Sequence, residues 1–577
     1  MNLNRTILLV FFLMFAVFTG KSQKTSSPDL EQIFGKTGEV YFRFSIFDRS
    51  EIQFLTRIIS IDNVKGNDVF AYANKKQFSE FLEKNYKYTI LPHPGTLLDE
   101  KELNMGGVNN GKQPNTIWNF YPTYPQYVDL MNGFATAHPD ICKLDTFGVT
   151  QNGRLLLVLK ISDSVNTSNP EPQFLYTSTI HGDETTGYVL MLHLIDSLLS
   201  GYNVNPRITN LINNTEIFIN PLANPDGTYH GGNSSVSGAI RENANYVDLN
   251  RNFADPKVGP HPDGNTWQPE TKAFMALDSA HDFVMSMNFH GGSEVFNYPW
   301  DTWFKHHADD AWFQFIGHEW ADTVKHYGPA GYFTDVTSNG ISNGYAWYEV
   351  NGGRQDYTTY FHFGREVTLE ISEIKTVAAS QLLNYWKYNR NAFLNYMEEV
   401  SYGINGKVTD SVTGLPLDAK IMISGHDIDN SQVYSTLPTG WYYRPIIAGT
   451  YTLVFSRTGY ITKTITGVSS VNHAVTRLNV KLVPTNIGVT EDIVMDKLTI
   501  YPNPSAGKIN VLLPDNTGCE LLISVSNVLG NLVFTKNIAA GNKDGKIALN
   551  LEGLQKGIYI IRVEGGKVLK EQKLVIH

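Results

Sequence analysis

Cysteine is nearly absent: only Cys142 and Cys519 occur in 577 residues. They fall in different predicted domains, so no disulfide framework is available, and both read as small core residues rather than catalytic thiols. An excess of basic charge is also missing, with 46 Lys and Arg against 56 Asp and Glu and a net charge of −10. Neither sign forms long blocks, which argues against nucleic acid as the main partner. Long apolar runs are missing as well, apart from Ile7 to Phe18. That run follows Asn4-Arg5, precedes Thr19-Gly20-Lys21-Ser22-Gln23, and is too short for a membrane span; residues 1–23 therefore read as a secretory signal. No later segment is apolar enough to cross a membrane. The mature chain is expected to be exported, either soluble or held at a surface by other means.

At 577 residues the chain exceeds one ordinary core, and three to five domains are expected. Residues 24–112 read as a small α+β module, with strands at Val40–Ile46, Val69–Tyr72 and Tyr88–Leu91, a helix at Gln77–Leu82, and a Pro/Gly/Asn-rich linker from His93 to Pro114. This module could be a packing adaptor or a pro-segment that covers an active site. Residues 113–401 alternate strands with helices, the pattern of an α/β domain with a mixed sheet between helices. Strands are predicted at Leu155–Leu159, Phe174–Thr179, Glu216–Ile219, Val284–Phe289 and Glu366–Ile371. Residues 402–484 read as one β-sandwich and residues 497–577 as a second, joined by a polar linker over 485–496.

The polar residues that interrupt this pattern carry the chemistry. In Thr179-Ile180-His181-Gly182-Asp183-Glu184 an apolar strand gives way to a helix, and His181 and Glu184 stand where both can aim at one zinc ion. His290, in Asn288-Phe289-His290-Gly291-Gly292 at the end of another apolar strand, would complete a His/Glu/His shell and leave one position for water. Alone, His290 would read as a core or turn histidine. Arg241 and Asp248-Leu249-Asn250-Arg251-Asn252, preceded by Asn224-Pro225-Asp226-Gly227, gather two guanidinium forks and an amide. Such a set either recognises a carboxylate or makes a solvated polar loop. Glu370 sits inside an apolar strand, where an acid is costly unless paired or functional. By contrast, His318-Glu319 lacks the second histidine of a helical zinc motif, Asp322 standing in its place, and is assigned to an ordinary amphipathic helix.

In this order the segments resemble the zinc carboxypeptidase family, most closely the branch of carboxypeptidases D, E and N, over about residues 118–400. The resemblance extends to Tyr348-Glu349-Val350-Asn351-Gly352-Gly353-Arg354-Gln355-Asp356, which looks like the segment with the mobile active-site tyrosine. It implies one zinc held by His181, Glu184 and His290, with Glu370 as general base and Arg241 polarising the scissile carbonyl. It further implies that Asn250, Arg251 and Tyr348 hold the substrate's terminal carboxylate and that Asp248 orients a ligand histidine. Gln355 falls where pancreatic relatives carry an apolar or acidic selector. In this branch a preference for C-terminal Lys or Arg goes instead with an aspartate after the third ligand, which Asp301 in Asn297-Tyr298-Pro299-Trp300-Asp301 matches; otherwise Asp301 caps a turn.

The implied partner is a peptide or protein with a free C-terminus. A relative acting on cell-wall or modified peptides, and a non-catalytic peptide binder, are the competing expectations. Gly406-Lys407-Val408-Thr409-Asp410 and Gly414-Leu415-Pro416-Leu417 are similar to a transthyretin-like module. Ile500-Tyr501-Pro502-Asn503-Pro504 and Gly557–Val563 look like the C-terminal sorting domain of type IX secretion. The latter implies outer-membrane secretion machinery, a Bacteroidetes-type bacterium, and a secreted or surface-attached product.

Overall fold

The computed structural model describes residues 30–106, 117–167, 169–485, 499–512, 520–539, 546–565 and 568–577. The predicted signal, Cys519 and the linker after Thr485 lie outside the described residues. The chain divides into two compact units, residues 1–484 and 485–577.

The first unit opens with a four-stranded antiparallel sheet of β1 (Glu39–Ser45), β2 (Ser60–Lys65), β3 (Asp68–Asn74) and β4 (Tyr88–Ile90), in the order β2-β3-β1-β4. Alternate residues of β1, among them Val40, Phe42 and Phe44, pack on Phe78 and Phe81 of the helix Lys75–Leu82. That helix starts on a reciprocal cap between Asn74 and Gln77. Three of the four strands follow from alternation in the sequence; β2 was not anticipated. Nor does the stretch from His93 behave as a plain linker. His93 is buried against Glu39 at 2.9 Å, and Leu103 joins the core of the next domain.

That next domain is built on eight strands: β5 (Cys142–Val149), β6 (Leu155–Ile161), β7 (Gln173–Ser178), β8 (Glu216–Asn220), β9 (Phe283–His290), β10 (Ser293–Tyr298), β11 (Ile341–Asn343) and β12 (Arg365–Ser372). Their order is β11-β10-β12-β9-β7-β8-β6-β5. The central run β8-β7-β9-β12 is parallel and the flanks are mixed. Central strands are buried along almost their whole length, as expected of a sheet covered on both faces. One face packs on the helices Tyr124–Ala137, Thr186–Gly201, Asp310–Tyr327 and Leu382–Glu399. The other covers a smaller core with Phe253, Phe274 and Tyr357. His318 and Glu319 lie on the helix Asp310–Tyr327, and Glu319 pairs with His473 at 2.6 Å.

Residues 403–484 form two sheets around one shared core that includes Ile404, Ile421, Leu453 and Phe455. A buried knot of charge ties these sheets to the eight-stranded domain. Asp309 receives Arg365 at 2.8 Å and Arg444 at 2.8 Å, Arg444 also reaches Asp427 at 2.6 Å, and Arg365 donates to the Ser431 carbonyl at 2.6 Å. Burial opposes ionisation of Asp309, but the two guanidinium groups hold its carboxyl well below the usual range. The second unit has two antiparallel sheets of three and four strands around its own core, including Ile523, Val525 and Ile561. Among the described residues no helix is long and apolar enough to cross a membrane.

Removing one partner of a buried ion pair strands the other, at a cost of about 3–5 kcal/mol. Arg444→Ala should therefore lower unfolding stability by about that amount in denaturant titration. A loss below about 1 kcal/mol would show that the knot adds nothing to stability.

Candidate active site

Strand register brings the candidate residues together. β7 and β9 are parallel neighbours with Ser178 opposite Phe289, so the chain leaving β7 and the last residue of β9 emerge side by side. The chain leaves β7 through Thr179, a non-glycine residue at φ +64. It reaches His181 and Glu184 before the helix Thr186–Gly201 begins. Gly182 is required here because a Cβ would lie 2.3 Å from the Gly227 carbonyl carbon and 2.5 Å from the Ile240 oxygen. β12 lies on the other side of β9 and sets Glu370 in register with His290.

The three expected ligands form a tight, buried triangle. His181 Nδ1 is 3.0 Å from Glu184 Oε1, His290 Nδ1 is 2.9 Å from Glu184 Oε2, and the two ring nitrogens are 3.1 Å apart. Two N–H groups cannot face each other at that distance, so the arrangement suits a cation at its centre. The edges approach those of a tetrahedron with ligand distances of about 2.0–2.1 Å. The opposite nitrogens are occupied: His181 Nε2 lies 3.1 Å from Asp248 Oδ1, and His290 Nε2 meets the Asn288 amide at 2.9 Å. Such outer contacts orient imidazole ligands. Asp62, Asp183, Asp248 and Glu370 lie around the triangle together with the cations Arg241, Arg251 and Lys375.

The protonation tendencies agree. Burial and Arg241 work against protonating His181, yet Glu184 and Asp248 outweigh them and raise it; burial lowers His290 to about 4. Burial opposes the Glu184 charge, but His181, Lys375 and His290 keep it well below the usual range. Glu370 is pushed well above that range, first by burial and then by the Glu184 charge, and its Oε2 has no hydrogen-bond partner.

Arg241, Asn250, Arg251, Tyr348 and Asp301 line the same cleft. Asp248 caps the turn Leu249–Arg251 by accepting from Asn250 N at 2.8 Å, which ties Arg251 to a carboxylate already serving His181. Asp301 Oδ1 accepts from Asn297 at 2.9 Å and from Gln355 Nε2 at 3.0 Å. Thr368 N donates to Gln355 Oε1 at 2.7 Å and fixes which end of that amide faces Asp301. Gly344 keeps the space, since a Cβ there would meet Asp301 Oδ1 at 1.7 Å. Asp226 stands apart, paired with Arg154 at 2.7 Å.

Four residues near the triangle are missed by sequence reasoning. Ser60, Asp62 and Tyr72 enter the cleft from β2 and β3, and Lys375 from the loop after β12. Ser60 donates to Asp248, Arg251 donates to the Ile61 carbonyl at 2.9 Å, and Tyr72 donates to Asp183 at 2.6 Å. Asp62 accepts from Arg241 at 3.0 Å and from Lys375 at 2.6 Å. The only local sign was a hairpin turn at Lys65-Gly66-Asn67-Asp68, with Gly66 at φ +63, which demands a strand before β3.

Residues 127–392 match the zinc carboxypeptidase family model, and residues 499–577 match that of a secretion system C-terminal sorting domain. The catalytic chain of carboxypeptidase N from Rattus norvegicus is 35% identical over 385 residues, covering 59% of this chain and 82% of that protein. The chain belongs to the zinc carboxypeptidase family. Carboxypeptidase D from Homo sapiens is 34% identical over 400 residues, 65% of this chain, and the chain spans only 28% of that protein's length. Among solved structures, carboxypeptidase A from Helicoverpa armigera aligns with a TM-score of 0.47 at 17% identity, over 62% of this chain and 98% of that one. One zinc ion is the family's metal, and the His181, Glu184, His290 triangle fits it. Of the other His/acid groups among the described residues, Asp309, His426 and Asp427 already face two arginines.

The purified protein should hold one zinc per chain by elemental analysis, and His290→Ala should hold none. Asp248→Asn should weaken zinc about 10–100-fold in a competitive chelator titration. Unchanged affinity there would refute its orienting role.

Proposed function

We propose that this chain is a secreted metallocarboxypeptidase that releases single residues, preferentially Lys or Arg, from the C-termini of peptides or proteins. The observation that carries the reading is one cleft in which the metal triangle and unpaired Glu370 stand beside Arg241, Asn250, Arg251 and Tyr348. Arg251, Asn250 and Tyr348 would bind the terminal carboxylate, which an internal peptide bond does not offer, so the clamp makes the enzyme an exopeptidase. Zinc, when bound, supplies a Lewis acid that polarises the scissile carbonyl and lowers the pKa of water toward about 7. Glu370 takes the proton of the attacking water and delivers it to the leaving amine. Arg241 stabilises the developing oxyanion.

Asp301, in the lining of the same cleft, selects the residue released. Burial raises its carboxyl to about 7, although the Asn297 donor works the other way. A basic side chain would supply the charge that this buried acid lacks. In support of a pro-segment at the N-terminus, the Ile61 carbonyl and Asp62 carboxylate take up donors of Arg251 and Arg241, so turnover requires β2 to leave the cleft. Export would run through the type IX route of a Bacteroidetes-type bacterium, and residues 402–484 would act as a transthyretin-like accessory domain.

Peptides differing only in the last residue, and one with an amidated end, provide the test. Terminal Lys and Arg should be released fastest and the amide not at all; faster release of Phe or Leu would overturn the basic preference. The ratio of kcat/KM for Lys over Leu should rise from pH 6 to pH 8, because a carboxyl raised to about 7 gains its charge over that interval. Glu370→Gln should retain zinc but lose at least about 100-fold in kcat, and full turnover would remove Glu370 as the base.

A further inference from the structure

Lys375 has no part in the roles assigned so far, yet it reaches the centre of the cleft. Its backbone carbonyl accepts from Thr186 N at 3.4 Å, which anchors it to the start of the helix behind the metal ligands. Its side chain passes over Gly292, where a Cβ would lie 3.3 Å from Lys375 Cε. The ammonium ends 2.7 Å from Glu184 Oε1 and 2.6 Å from Asp62 Oδ1, and the same Asp62 oxygen lies 3.0 Å from Arg241 Nη1. Tyr72 presents its ring to both cations, at 5.1 Å from Lys375 and 5.4 Å from Arg241.

One carboxylate oxygen thus sits between two buried cations. The Ile61 carbonyl lies on Arg251 and the next side chain lies between Arg241 and Lys375, an offset of one residue along the chain. Asp62 follows Ile61, whereas the penultimate residue of a substrate precedes its terminal carboxylate, so β2 meets these cations with the chain direction opposite to that of a peptide whose end rests on Arg251. When β2 departs it takes the Asp62 carboxylate with it, and Glu184 is committed to the metal. Arg241 keeps Asp248 at 3.2 Å and Lys375 keeps Asp183 at 4.0 Å, but the point between the two cations that Asp62 filled is then open to another carboxylate.

We infer that Lys375 and Arg241 form a carboxylate subsite beside the hydrolytic centre, which Asp62 fills in the covered enzyme and a carboxylate of the peptide fills during turnover. That carboxylate is either an acidic side chain on the penultimate residue or the new C-terminus of the shortened peptide. The inference rests on the carboxypeptidase reading for its role in turnover but not for the existence of the subsite.

The full chain carrying Asp62→Ala separates the two questions. Acetate should raise its thermal unfolding midpoint where acetamide at equal ionic strength does not. Adding Lys375→Met should abolish that response and adding Lys375→Arg should keep it. Equal responses to acetate and acetamide, or a response that survives Lys375→Met, would overturn the subsite, and none of these readouts needs turnover. On the same Asp62→Ala background, peptides ending Glu-Lys and Gln-Lys are compared, as is inhibition by the shortened peptide acid and its amide. A roughly tenfold preference for Glu over Gln that disappears with Lys375→Met assigns the subsite to the side chain. Roughly tenfold stronger inhibition by the acid than by the amide, also lost with Lys375→Met, assigns it to the new terminus. If Lys375→Met leaves both ratios unchanged while peptides are still cleaved, the role in turnover is wrong. If no peptide is cleaved at all, the carboxypeptidase reading fails and the acetate result stands alone.

Discussion

Two imidazole nitrogens 3.1 Å apart, closed by a carboxylate at 2.9 and 3.0 Å and buried from water, make an arrangement that suits a cation at its centre. The surroundings are built around that triangle. Asp248 holds one ring by its far nitrogen and at the same time caps the turn that delivers Arg251. Register places Glu370 opposite the other ring. Because Asp248 serves both purposes, displacing it disturbs both the metal pocket and the proposed clamp for the substrate.

The N-terminal sheet follows the same economy. It approaches with β2, whose groups satisfy donors that would otherwise be stranded under a lid: Arg241, Arg251 and Lys375 each receive an acceptor from Ile61 or Asp62. Capping a cleft so polar with apolar side chains would leave those cations unsolvated. A polar strand is therefore the form that a stable cover of this cleft must take.

Much of this was legible in the sequence, and what was not has a common physical reason. The central strands of the main sheet could be read because both faces are buried, which leaves continuous apolar runs. His181, His290 and Glu370 could be read because each interrupts or ends such a run. β2 escaped because Ser60-Ile61-Asp62-Asn63 carries polar groups on the face turned to the cleft, which erases the alternation of an ordinary half-buried strand. Lys375 escaped because its meaning depends on Asp62, 313 residues away. Asp309 has no local sign of its role, which depends on two arginines from distant segments. Local periodicity reports burial well. It is silent on which polar groups are brought together.

Arg365 is the first residue of β12, the strand that carries Glu370, and its guanidinium is held both by Asp309 and by the Ser431 carbonyl of the following β domain. That domain therefore grips the near end of the strand that carries the proposed base. A recombination event that exchanged one β domain for another would have to bring an arginine to the place of Arg444 and a carbonyl to the place of Ser431. The two domains are in that respect a single unit of inheritance, joined by a lock that only a matching key can turn.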